Sequence, residues 1–396
     1  MVERLKISNG PIITPDKILY GSCLLMEDGK ILGIEPADTS FPDSRMIDAQ
    51  GHYISPGFMD IHVHGGGGFD FMDGTVEAFL NIAQTHAKHG TTSMLPTSLT
   101  CEKEDLIRTL EAYSKACLQN TQGAHFIGMH LEGPYFAVSQ RGAQDPKYIR
   151  DPDPKEYKEI MESYPFIKRW SAAPELKGAV EFGKYISSKG VLAAIAHTDA
   201  IYEEVLEAFQ HGGFTLATHF YSAMSGVTRR NAFRYAGVIE SAYLLDEMDV
   251  EIIADGVHLP APLLKLVYKL KGPGRIALIT DAMRAADMPA GNSVLGSLKN
   301  GLSVLVEDGV AKLPDRTAFA GSVATADRLI RTMLEMAEVP LIECIRMISE
   351  TPARILNIQD KKGTLAPGKE ADIVIFDDKI EVQQTFVMGK SIYQKS

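Results

Sequence analysis

Gly57-Phe58-Met59-Asp60-Ile61-His62-Val63-His64, followed by the glycines 65–68, is the stretch from which the fold can be read. It is a short apolar run that closes on two imidazoles and then on a flexible turn. Residues two apart on a strand face the same side, so His62 and His64 project together. The glycines let the backbone turn sharply and leave space beside the imidazoles. Taken alone, a His-x-His pair is compatible with plain packing or surface histidines. The rest of the chain decides whether it means more.

Working outward, the same design recurs. Apolar segments at 57–62, 92–97, 126–132, 168–173, 191–197, 215–219, 251–255 and 276–281 read as strands. Helical periodicity lies between them at 76–88, 105–118, 179–188, 202–210 and 261–271. Alternation of this kind predicts an α/β fold, a (β/α)8 TIM-type barrel rather than a doubly wound sheet. Four further strands end in Glu132, His197, His219 and Asp281. Barrel active sites sit at that C-terminal face. Charges buried there without partners would cost several kcal/mol each, so a shared cation is the simplest explanation.

Imidazoles with carboxylates suit a divalent transition metal, Zn, Fe, Mn or Co, in preference to Ca or Mg. The ligand set His62, His64, Glu132, His197, His219 and Asp281 exceeds what one tetrahedral ion uses. Two ions sharing Glu132 are therefore favoured, one on His62 and His64 and one on His197 and His219; single occupancy is the alternative. Asp281 is the expected proton carrier in hydrolysis. His258, in the loop after the seventh strand, is placed to polarise a carbonyl oxygen, the plainer reading being a loop histidine. His130 shares the inward parity of Glu132 and suits a hydrogen-bonded place better than ligation. His86, His89 and His211 fall at helix C-termini, where a cation meets the negative dipole end. His52 and His125 carry no signal.

The two ends read differently from the middle. Residues 4–36 suggest short strands, with Asp28-Gly29 as a hairpin turn, and residues 371–376 and 385–393 suggest more. The expected organisation is a small β-sandwich domain built from 1–56 and 360–396 around a catalytic barrel at 57–359. A hairpin at 291–314 is expected before the last helix, 324–338.

At 396 residues, 45% hydrophobic and 23% charged, the composition is that of an ordinary globular chain. A net charge of −11 argues against nucleic-acid binding, which needs basic surface. The four cysteines are scattered without a CxxC pair, which suggests unpaired thiols in a reducing compartment. No apolar run approaches the roughly 20 residues of a membrane span, and the first residues lack a signal-peptide core. A cytoplasmic protein without membrane attachment is expected.

Several stretches resemble the amidohydrolase superfamily and, within it, the N-acetylglucosamine-6-phosphate deacetylases. They are Pro56 to Gly65, His130-Leu-Glu-Gly-Pro134, Thr218 to Met224, Ile253 to His258, Thr280 to Met283, Ala320-Gly-Ser322 and Gly363 to Asp372. The resemblance implies hydrolysis of the acetamide of a phosphorylated amino sugar. It places the metal on Glu132, His197 and His219, the catalytic aspartate on Asp281 and the carbonyl-polarising histidine on His258. Substrate contacts would map to Ala143, Gln144, Ser222, Ala223, Asp255, His258, Phe319, Ala320 and Gly321. The family's Asn-Ala-Met is Ser222-Ala-Met here. Its phosphate-binding arginine, lent by a neighbouring subunit, corresponds by spacing to Arg230, with Arg229 and Arg234 nearby. A homodimer or homotetramer follows from that sharing. The alternatives weighed are an amidohydrolase for another N-acyl amino sugar or a cyclic amide, and an inactive scaffold.

Overall fold

The computed structural model describes residues 3–395. Eight parallel strands form where the apolar runs predict them: Phe58–Val63, Thr91–Pro96, Met129–Glu132, Ile167–Ala172, Leu192–Ile195, Phe214–Ala217, Asp249–Ile253 and Ile276–Ile279. The third run is broken, with His125–Phe126 pairing separately before Gly128, whose φ of 139° interrupts the strand. Strands three to eight form one continuous parallel sheet, and the first two pair with each other. A parallel bridge from Thr97 to His130 joins these sheets on one side. On the other, the Asp281 N–H donates to the His62 carbonyl at 2.9 Å, which closes the ring. The molecule is an α/β TIM-like barrel.

Alternation along the strands sorts side chains to two sides. Ile276 and Leu278 join the large cluster shared with the helices, whereas Ala277 and Ile279 join a second cluster with Met59, Ile61, Leu95, Ala194 and Leu216. Ala353 and Ile355, from a short late helix, complete that inner cluster. Helices outside follow the usual local logic. Val76–Ala87 starts at Thr75, whose hydroxyl accepts the Ala78 N–H, and it buries Phe79, Ile82, Ala83 and His86 at helical spacing. His86 and His211 lie in last helical turns, as expected.

Strands from both ends of the chain share one six-stranded sheet, in which Tyr53–Pro56 pairs antiparallel with Ile373–Phe376. A four-stranded sheet holds Arg4–Ser8, Ser22–Glu27, Lys30–Pro36 and Arg45–Asp48. Residues of both sheets, such as Leu24 and Ile373, pack in one apolar cluster. The hairpin at Asp28-Gly29 is present, with φ of 47° and 75° as a tight primed turn needs. The expected hairpin at 291–314 is larger than anticipated. It is a three-stranded antiparallel sheet of Gly291–Leu295, Leu302–Glu307 and Val310–Lys312. All four cysteines are free thiols. No helix among the described residues is long and apolar enough to cross a membrane.

Candidate metal centre and active site

Glu132 is the last residue of its strand, while His197, His219 and Asp281 each lie two residues beyond theirs. All three of the latter adopt left-handed backbone, with φ of 48°, 33° and 47°. That conformation costs about 1 kcal/mol or more per residue and concentrates at functional sites. Here it accompanies the turn of each side chain off the strand end.

The side chains converge. His62 Nε2 lies 3.4 Å from Glu132 Oε1 and 3.4 Å from Asp281 Oδ1. His64 Nε2 lies 3.3 Å from Glu132 Oε2 and 3.2 Å from Asp281 Oδ1. Glu132 Oε1 also faces the Nε2 atoms of His197 and His219, at 3.4 and 3.2 Å. Two groups thus have ligand atoms close enough to share a cation, His62–His64–Glu132 and Glu132–His197–His219. Glu132 belongs to both.

The outer faces of these rings are fixed too. The Nδ1 atoms of His64, His197 and His219 sit 3.3, 2.8 and 3.1 Å from the carbonyls of Thr97, Gln140 and Ser222. A carbonyl accepts only, so each Nδ1 carries a proton and Nε2 is the nitrogen left to give its lone pair to a cation. His130 is held between Thr97 Oγ1 at 3.2 Å and Ser171 Oγ at 2.7 Å, edge-on to His62, and does not ligate. Gln144 is turned inward: its Nε2 donates to Glu132 Oε2 at 2.9 Å, and its Oε1 accepts the Thr100 N–H at 2.9 Å.

Charge favours a cation. Burial alone would lower the pKa of both His62 and His64, yet Glu132 and Asp281 outweigh it and raise them to about 9 and about 10. Burial likewise pushes Glu132 upward, and the surrounding imidazoles still hold it well below the usual carboxylate range. The centre therefore draws positive charge inward, and imidazole lone pairs with carboxylates are the donors a divalent transition metal takes.

Above the centre lies a cavity of about 530 Å³. Its lining includes Ala143, Gln144, Ser222, Ala223, His258, Phe319 and Gly321, as the sequence suggests. Three expected contacts fall elsewhere. Ala320 is fully buried. Asp255 stands behind His258, with Oδ2 2.8 Å from its Nδ1. Burial pushes the Asp255 carboxyl up, but the bonds from His258 prevail and leave it below its ordinary value. Arg230 lies outside the cavity, on an exposed hairpin of Thr228–Arg230 and Phe233–Tyr235. Sequence reading missed Arg141, among the described residues the only arginine or lysine lining the cavity. It also missed Leu313 and Thr317, brought over the cavity by the inserted sheet.

A model of the amidohydrolase family matches residues 53–392. The chain belongs to that family. Among amidohydrolases it is similar to the N-acetylgalactosamine-6-phosphate deacetylase of Escherichia coli O157:H7, at 31% identity covering 96% of this chain and 97% of that protein. It is similar also to the N-acetylglucosamine-6-phosphate deacetylase of Bacillus subtilis (strain 168), at 32% identity covering 98% and 97%. The crystal structure of N-acetylglucosamine-6-phosphate deacetylase from Pasteurella multocida superposes with a TM-score of 0.91 at 27% identity, over 99% of this chain and all of that one.

Proposed function

We propose that the chain hydrolyses the acetamide of N-acetylglucosamine 6-phosphate to glucosamine 6-phosphate and acetate, a step of amino-sugar catabolism. The observation that carries this is the convergence of Glu132, four imidazoles and Asp281 beneath the cavity, in a chain whose full-length relatives bear the deacetylase name. Two ions of Zn, Fe, Mn or Co, one per group, are the reading the shared Glu132 favours. What such a cation supplies when bound is a water pKa lowered to about 7 and charge opposing a developing oxyanion.

The remaining work belongs to side chains of this protein. Asp281 takes the proton from the attacking water and then delivers it to the sugar nitrogen as the C–N bond breaks. His258, oriented by Asp255, donates to the acetyl oxygen as charge grows there. Ala143, Ser222, Ala223, Phe319 and Gly321 shape the place of the sugar, and Gln144 steadies Glu132. The barrel at 57–359 is a catalytic domain, and 1–56 with 360–396 form a small sandwich domain supported by their shared apolar cluster.

Acetate release from N-acetylglucosamine 6-phosphate tests the activity; no turnover on it, alongside good turnover on a cyclic amide, defeats the assignment. A second reading, the galacto epimer as substrate, is favoured by the similarity to the Escherichia coli protein. Parallel kcat/KM measurements on the two phosphosugars decide between them.

The phosphate handle is proposed to come from a second copy. Arg229, Arg230 and Arg234 stand on the exposed hairpin next to Val227 and Phe233, which are 60% and 73% exposed. A homodimer or homotetramer that seats this hairpin over the neighbour's cavity covers those apolar side chains and delivers a guanidinium fork. Arg230→Ala is then expected to raise KM for the phosphorylated sugar roughly 10- to 100-fold, the value of a charged hydrogen bond. Its kcat should stay nearly unchanged. If Arg141→Ala has that effect instead and Arg230→Ala has none, the handle lies within one chain.

A further inference from the structure

The three imidazoles His64, His197 and His219 each rest on a main-chain carbonyl, but His62 does not. Its Nδ1 is buried and has no hydrogen-bond partner among the described residues. A carboxylate oxygen, Glu251 Oε2, lies 3.8 Å from it, longer than a hydrogen bond. Glu251 is itself fully buried and is gripped by the guanidinium of Arg169, also fully buried. Arg169 Nη2 donates to Glu251 Oε2 at 2.7 Å and to Thr218 Oγ1 at 2.8 Å, and its Nη1 donates to the Ile61 carbonyl at 3.0 Å. Ile61 and Thr218 immediately precede His62 and His219. One guanidinium thus ties the fourth, first, sixth and seventh strands together next to the ligand atoms.

A buried ion pair of this kind contributes little net stability over an apolar pair of the same shape. Neither residue lines the cavity, and neither reaches the reacting atoms. What Glu251 does face, at 3.8 Å, is the unpartnered nitrogen of His62.

We propose that Arg169 and Glu251 are positioning residues for His62. Glu251, aimed by Arg169, accepts from Nδ1–H and keeps the Nε2 lone pair directed at the metal centre. A carboxylate partner also makes the imidazole a stronger donor than a carbonyl partner does. The pair therefore governs cation affinity at His62–His64–Glu132 and leaves Glu132–His197–His219 to its carbonyl-held imidazoles. The inference rests on the two-cation reading above.

The test is metal titration of the purified full-length protein with Zn, read as equivalents bound per chain by elemental analysis and as affinity by chelator competition. Neither readout needs a substrate, so the outcome is independent of which sugar is turned over. The wild type is expected to bind two equivalents. Glu251→Gln should keep one equivalent at wild-type affinity and weaken the other about 10- to 100-fold, the usual effect of losing such a partner. The double variant Arg169→Met with Glu251→Met removes both charges, so no unpaired charge is left if the single variant folds poorly; it should show the same one-site loss. Unchanged affinity for both equivalents in the variants overturns the proposal, as does equal weakening of both, which signals a merely structural role. A wild type that saturates at one equivalent overturns it as well. A wild type that binds none removes the metal reading itself.

Discussion

Asp281→Asn is expected to leave the protein folded and metal-loaded while kcat falls by about 10³-fold or more, the scale of a lost general acid and base. Asparagine has the same shape and tolerates the left-handed backbone at this position, where φ is 47°. The main-chain bond from residue 281 to the His62 carbonyl, 2.9 Å long, survives the change. What disappears is the ability to hold a proton between water and the leaving nitrogen. Asp281 Oδ1 faces His62 and His64, at 3.4 and 3.2 Å, and not the Glu132–His197–His219 group. At least one cation should therefore remain at full affinity. Acetate-release kinetics and metal content on one preparation check both halves. Near-normal turnover would remove Asp281 from proton transfer.

The residues show why the barrel was readable and part of the site was not. A polar residue ending an apolar run is a local signal, so Glu132, His197, His219 and Asp281 could be found one strand at a time. The sharing of Glu132 between two groups followed from counting donors against coordination number. Arg169 and Glu251 are different, because each shares its strand with a second charge, Lys168 and Asp249, and the meaning lies in their pairing across the barrel. The available signal was two opposite charges on separate buried strands, which carries no register. Gln144 was mapped to the substrate by the resemblance; it lines the cavity, and its side chain is also bonded to Glu132 and Thr100, which the sequence does not reveal. Arg141 and Leu313 come to the cavity from loops, whose paths no periodicity encodes. Arg230 stands outside the cavity on an exposed hairpin, a placement that spacing along the chain does not encode.

Glu132→Gln should have the broadest effect of any single change at the centre. Oε1 faces His62, His197 and His219, and Oε2 faces His64 and accepts from Gln144 at 2.9 Å. An amide in that place removes the only side chain common to both groups. If its NH2 takes the position of Oε2, two donors meet at Gln144; if it takes the position of Oε1, it meets the imidazoles at the atom that three of them face. Bound metal is expected to fall toward zero and turnover by about 10³-fold or more, since the charge opposing the oxyanion alone is worth several kcal/mol. Stability should fall with it. Each cation held at about 1,000 times its Kd contributes about 4 kcal/mol, which for a chain this long is about 5 °C in Tm. His64→Ala is the contrasting case. It strips only the first group, so one equivalent and about half of the thermal effect should remain. A Glu132→Gln protein that still binds two equivalents would mean that the carboxylate is not shared, and the two groups would then have to be treated as independent sites.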